Sequence, residues 1–246
     1  MQRVQAAVRE AEAGAPKFTT DRDGYLKRVD GIVWGDNPDQ GIVRGSSFLH
    51  KGLRFALDFP SGWTIQNGQA EVVAKDPGGR SVMLLMPVQR AQGRTIEDIA
   101  IITMQNAGLR QIDGAPTTVN GLEAYLGTYA GALQNFGRVQ LRVLHLRHDR
   151  SVYLIAGIAT VDDYPKVVGA FSKSLQSFRG LSPAEAESIR PNRIGLYTAR
   201  SGDSWQSVAE HQSKGIIKAT TLAIMNGHPV NDQPQPGERL KIVVGD

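Results

Sequence analysis

The run "SVYLIAGIAT", Ser151–Thr160, decides how the rest of the chain is read. It is almost continuously apolar, mixes β-branched, aromatic and small residues, and is too short for an average buried helix, so it reads as a strand buried on both faces. A doubly buried strand needs material above and below its sheet, and the flanking segments have to supply it.

They do so in both directions. Downstream, Asp162 or Asp163 is placed to cap a helix that runs to about Phe178, with Val167, Val168, Phe171, Leu175 and Phe178 on its inner face. Upstream, "RVQLRV" (138–143) alternates, and "PTTVNGLEAYLGTYAG" (116–131) carries an Asn120-Gly121 hairpin turn. A helix starting near Thr95 puts Ile96, Ile99, Ala100, Thr103, Met104 and Ala107 on one face and stops at Gly108. Before it, Phe55, Leu57 and Phe59 alternate, Pro60-Ser61-Gly62 turns, and "TIQNGQAEVVAKDPGGRSVMLLMPV" (64–88) supplies two more runs around Asp76-Pro77-Gly78-Gly79. Strands, helix, strands, helix predict an α+β domain over residues 48–180, an antiparallel sheet covered by helices.

Outside that core the pattern thins. Residues 1–47 read as a helical segment and connector: an amphipathic helix over 2–13 with a narrow stripe at Val4, Ala7, Val8 and Ala11, a short helix over Asp21–Val29, and a turn-rich stretch at 30–45 anchored by packing of Trp34. Residues 181–194, with Pro183 and Pro191 around a short polar helical piece, read as a linker into a small module over 195–246. Composition agrees with two folded parts: 246 residues, 41% apolar and 21% charged.

The net charge of +4 arises from 28 cationic residues scattered among 24 acidic ones. The densest group, Arg138, Arg142, Arg147, His148 and Arg150, falls on hairpin strands and reads as a solvated sheet face, so nucleic acid is not an expected partner. There is no cysteine, which rules out disulfides and thiolate metal ligands. No stretch reaches the length of a membrane span, and the first residues lack the apolar core of a signal peptide.

Candidate chemistry is sparse. HExxH is absent, and the "HLRH" pair His145 and His148 would point to opposite faces of a strand. No phosphate-loop pattern occurs, and the carboxylate pairs Glu97-Asp98 and Asp162-Asp163 sit at helix starts, where the helix dipole favours them. The most crowded stretch is "LYTARSGDSWQSVAEH" (196–211), with Ser201, Asp203, Ser204 and His211 close in sequence. A serine hydrolase would need the GxSxG elbow, which is missing. Local duties account for these residues instead: Gly202-Asp203 turns out of a strand, Ser204 caps a helix, and Trp205, Val208 and Ala209 face inward.

Strand, helix, helix, strand in the last 50 or so residues, with "YTARSGDSWQSVAEH", "LAIMNG" and "PGERLKIV", resembles a LysM module. The resemblance implies binding of N-acetylglucosamine polymers such as peptidoglycan, through Ser201, Gly202, Asp203 and Ser204 on one loop and Asn226 and Gly227 on the other. The chain departs from that pattern in its long inter-helix stretch and its Pro-rich "HPVNDQPQP". A second resemblance rests on "DRDGYLKRVDGIVWGDNPDQGIVRGSSFLH" followed by "LRFALDFPSGWTIQN", which is similar to the region after the catalytic domain in bacterial HtpX/BepA-like zinc metallopeptidases, with Lys51 where a proline is expected. The "F…FPSGW" entry and two covering helices look like the PsbP-type sandwich. Together these imply a non-catalytic accessory region of a cell-envelope metallopeptidase, positioning a substrate or partner protein, with residues 1–47 the tail of a protease domain lying upstream. No cofactor is expected in this chain, zinc belonging to that upstream domain. The expected partners are the protease domain or an envelope protein, the expected location is periplasmic or envelope-associated as part of a longer chain, and a stand-alone peptidoglycan-binding protein is the alternative.

Overall fold

The computed structural model describes residues 21–89, 95–134, 136–229 and 231–245, so the helix expected over 2–13 lies outside the described residues. The chain divides into two compact units. The smaller takes the described residues up to Trp34, which begin at Asp21, and those from Asn192 onward, and the larger is Gly35–Pro191. The first helix, α1 (Arg22–Val29), belongs to the smaller unit and begins where the Asp21 carboxylate accepts from the Gly24 N–H at 2.8 Å.

The larger unit opens with three short strands, β1 (Ile42–Arg44), β2 (Ser47–His50) and β3 (Phe55–Asp58). The meander β4 (Thr64–Asn67), β5 (Val72–Lys75) and β6 (Ser81–Pro87) follows, then helix α2 (Ile96–Asn106). Four long strands come next: β7 (Arg110–Val119), β8 (Leu122–Leu133), β9 (Gly137–His148) and β10 (Ser151–Thr160). Helix α3 (Tyr164–Gln176), the two-residue β11 (Arg179–Gly180) and helix α4 (Pro183–Ser188) complete the unit. The main sheet has seven strands in the order β4-β5-β6-β10-β9-β8-β7, so the apolar run that organised the sequence is its middle strand. Its neighbours pair antiparallel, with Ile155 opposite Leu85 on one side and Leu144 on the other.

Each face of this sheet carries a helix, as the doubly buried strand requires. Ile155, Leu144 and Leu146 meet Phe171 and Leu175 of α3 on one face, where Phe48, Phe55 and Leu57 of the second sheet join the same core. On the other face Ile96, Ile99 and Ala100 of α2 pack on Tyr125 and Val152, and Met104 packs with Tyr129, Val143 and Leu154. Gly157 allows the closest approach of helix to strand: a Cβ there would lie 2.2 Å from the Phe171 ring, so an alanine would force the ring or the helix to move.

The second sheet, in the order β1-β2-β3-β11, draws in segments that looked like connector and linker. Helix α4 has a capping box in which Ser182 Oγ accepts from the Glu185 N–H while the Glu185 carboxylate accepts from the Ser182 N–H. Its Ala186, together with Leu181 and Ile189, is buried with Ile42 and Ala56. Residues 42–47 and 181–191 are therefore parts of the larger unit. Their apolar positions are too few and too widely spaced to announce a face locally.

The smaller unit has the expected order: β12 (Arg193–Thr198), helices α5 (Trp205–His211) and α6 (Ala219–Met225), and β13 (Arg239–Val244), the two strands antiparallel with Leu196 opposite Lys241. Trp205, Val208, Leu222, Leu240 and Val243 form its core, with Trp34 partly buried against them. Residues 31–34 add a further edge. The Gly31 N–H donates to the Ile194 carbonyl and the Ile194 N–H to that of Ile32, both at 2.8 Å, and Val33 bridges Arg193. Ion pairs Arg22–Glu238 at 2.7 Å and Asp23–Arg239 at 3.1 Å tie α1 to the start of β13.

Candidate functional site

The loop leaving β12 is built by its own backbone needs. Gly202 has φ +88, in the left-handed region that suits glycine, and lets the chain reverse. The reversal brings Asp203 Oδ2 onto the Arg200 N–H at 2.7 Å and the Tyr197 hydroxyl at 2.8 Å, both donating to it. Those two bonds, the backbone one first, hold the Asp203 carboxyl below the usual range, and the same carboxylate pushes the Tyr197 hydroxyl up. Ser204 then caps α5 in a reciprocal box: its Oγ accepts from the Ser207 N–H at 3.1 Å, and Ser207 Oγ accepts from the Ser204 N–H at 3.0 Å. No hydrogen bond links Ser204 to His211, which lies exposed in the last turn of the helix. A nucleophile without its base has no means of activation.

The second loop is equally committed. Asn226 accepts from the Lys241 N–H through Oδ1 at 2.7 Å and donates through Nδ2 to the carbonyls of Lys241 at 2.8 Å and Leu222 at 3.0 Å. One side chain thus copies a strand's backbone pairing and fastens α6 to β13. Gly227, with φ +81, closes a Schellman cap: its N–H donates to the Ile224 carbonyl and the His228 N–H to that of Ala223. Of the six expected site residues, Asp203, Ser204 and Asn226 spend their polar atoms inside the fold, while Ser201, Gly202 and Gly227 are exposed at loop tips.

The two loops do meet, through residues that sequence reasoning missed. The Trp205 N–H donates to Gln233 Oε1 at 3.3 Å, and the Trp205 ring lies 5.1 Å from that of His228. His228 is held on both sides, Nε2 with Glu238 at 2.9 Å and Nδ1 with Asp232 at 3.0 Å. Hydrogen bonding to Glu238, then to Asp232, raises its pKa above the ordinary 6.5. Burial works against the charge on Glu238, yet His228, Arg22 and the Gln235 N–H together bring its pKa down. The two carboxylates lie on opposite edges of the imidazole, so the three groups do not converge on a common point. Among the described residues no three His, Asp or Glu side chains are grouped to hold a metal ion. The sequence signal for this cluster was only a His followed at four and ten residues by acids, which periodicity does not flag.

In the larger unit the "HLRH" histidines part as a strand requires. His148 donates from Nε2 to the Leu53 and Arg54 carbonyls at 3.0 and 3.1 Å, whereas His145 is fully buried with neither ring nitrogen partnered. Burial brings His145 down to about 4. Two arginines of the same hairpin are paired: Arg142 bonds Asp113 and Thr128, and Arg147 bonds Glu123. No described helix is long and apolar enough to cross a membrane.

No protein-family model matches the chain, and no curated protein matches it in sequence. Solved structures do resemble it. CyanoP, the cyanobacterial PsbP of Synechocystis, is 13% identical over 59% of this chain and 98% of its own, with a TM-score of 0.45. LpqN of Mycobacterium tuberculosis, a protein involved in cell envelope biogenesis, is 12% identical over 68% of this chain and 100% of its own, with a TM-score of 0.39. A Pseudomonas aeruginosa protein of unknown function is 17% identical over 50% of this chain and 88% of its own, again with a TM-score of 0.39. The fold class of this chain, an antiparallel α+β sandwich accompanied by a βααβ unit, rests on its own register and cores.

Proposed function

We propose that this chain is a non-catalytic binding region that positions a substrate or partner protein for a cell-envelope zinc metallopeptidase. The observation that supports the reading most is the commitment of polar side chains in the most site-like stretch: Asp203 to Tyr197 and Arg200, Ser204 to Ser207, with no nucleophile–base pair left over. The association with a protease comes from the resemblance over residues 21–50, and the envelope location from the same source.

Two measurements test it. Incubated with fluorogenic casein, the purified chain should release no signal, with or without a chelator; chelator-sensitive hydrolysis would refute the non-catalytic reading. Mixed with the catalytic domain of an HExxH metallopeptidase, it should co-elute on size exclusion, and separate elution counts against the positioning role.

Peptidoglycan binding is the second reading, favoured by the convergence of the two loops at Trp205 beside exposed Ser201 and Gly202. Sedimentation with purified peptidoglycan should then retain the wild-type chain, and absence of retention rejects it. Asp203→Ala and Asn226→Ala each delete internal bonds, so their retention is compared only at temperatures where circular dichroism shows them folded.

A further inference from the structure

A cavity of about 290 Å³ opens in the larger unit, at the lower end of the range of about 300–1,000 Å³ common for small-molecule sites. Its floor is aromatic: Phe48, Phe55 and Tyr153 line it, with the Phe55 ring 5.0 Å from Tyr153 and 5.9 Å from Phe48. Two large apolar side chains on its wall, Leu53 and Met86, are 43% and 36% exposed.

The charged groups in the lining are of one sign. Asp39 and Glu71 contribute exposed carboxylates that form no ion pair with a described residue, and no Lys or Arg is among the described lining residues. The lining histidine does not reverse the sign. His50 Nδ1 accepts from the Leu53 N–H at 3.1 Å, and burial lowers its pKa below 6.5, so the ring is neutral at pH 7. The wall also contains Asn67, whose amide donates to the Gly41 carbonyl at 2.9 Å while its Oδ1, buried, has no donor.

We infer that this cavity binds a small organic cation with an apolar body, an arylalkyl amine being the simplest example. The apolar lining, with Leu53 and Met86 exposed and Phe48, Phe55 and Tyr153 behind them, takes the apolar body. Asp39 and Glu71 supply the opposite charge. A neutral molecule of the same shape would gain nothing from the two carboxylates, and an anion would be repelled. This site lies wholly within the larger unit and does not depend on the function proposed above.

The test is calorimetric titration of the full chain with three probes of one shape: phenethylamine, 2-phenylethanol and 3-phenylpropionate. Saturable binding of the amine, at least about tenfold tighter than the alcohol and with no binding of the acid, is the expected result. Asp39→Asn combined with Glu71→Gln should weaken the amine by about tenfold or more and bring it level with the alcohol, while Asp162→Asn, an exposed carboxylate outside the lining, leaves it unchanged. Because both altered side chains are exposed, the double variant keeps its fold, which its melting curve verifies. Equal affinity for amine and alcohol, an unaffected double variant, or no saturable binding of the amine would each overturn the inference.

Discussion

His145 and His228 show how differently two regions of this molecule treat one residue type. His145, towards the end of β9, is fully buried without a hydrogen bond, and burial brings its pKa down to about 4. His228, after α6, has a carboxylate on each ring nitrogen and a raised pKa. In the sheet the loss of water decides; in the loop the partners decide. The interior of the larger unit is thus maintained against a polar group, whereas the loops of the smaller unit are assembled from polar groups.

The largest expected effect comes from removing the sheet histidine. The unfolded chain takes up a proton at His145 near 6.5 and the folded chain only near 4, so the unfolded state binds more protons in between and stability falls as pH drops through that window. The span of some two and a half pKa units corresponds to about 3 kcal/mol. Urea unfolding of His145→Leu, following the transition of the larger unit, should show that pH-dependent loss abolished between pH 7.5 and 4. Persistence of the full loss would place its origin elsewhere and erase the contrast.

A smaller effect is expected where polar groups build the loop. Asn226→Ala removes three hydrogen bonds and leaves the Lys241 N–H without its acceptor, costing about 2 kcal/mol in the smaller unit. Thermal unfolding followed by Trp fluorescence reads this, and a shift confined to the larger unit would contradict the assignment. The smallest effect belongs to His228→Gln. Since its pKa is raised on folding, its stabilisation is complete below 6.5 and disappears as pH rises through the raised value. The pairs are partly solvated, so the loss at pH 6 should be under about 1 kcal/mol and should vanish at pH 9. An equal loss at both pH values would mean that packing on Trp205, not charge, is what His228 provides.

The parts of the fold that were readable from sequence are those carried by local repetition. Ser151–Thr160 as the middle strand, the inner faces of α2 and α3, and the βααβ order of the last residues follow from spacing over ten or so positions. What was not readable depends on residues far apart. Val33 bridges Arg193 and Ala186 is buried with Ile42, contacts for which neither partner's neighbourhood contains a clue. The candidate site divides the same way. The turn at Gly202-Asp203 and the cap at Ser204 were visible, because capping is a matter of three or four residues. The meeting of His228 and Gln233 with Trp205 was not, since the irregular stretch at 228–238 has no period to place it.

The pairing of residues 31–34 with 192–194 makes the smaller unit discontinuous, with Gly35–Pro191 inserted in its midst. During synthesis its first strand edge and helix α1 must wait for the whole insert before their partners exist. Closing so long a loop carries an entropic cost that grows only slowly with length, and an insert that folds first sets aside most of that chain's freedom before the closure. Synthesis from the N-terminus therefore favours one order of assembly, the sandwich before the βααβ unit. A fragment cut at the boundary the sequence suggests, 195–246, would lose β12's outer edge and the Arg22 and Asp23 contacts of α1, and would emerge as an unfinished unit.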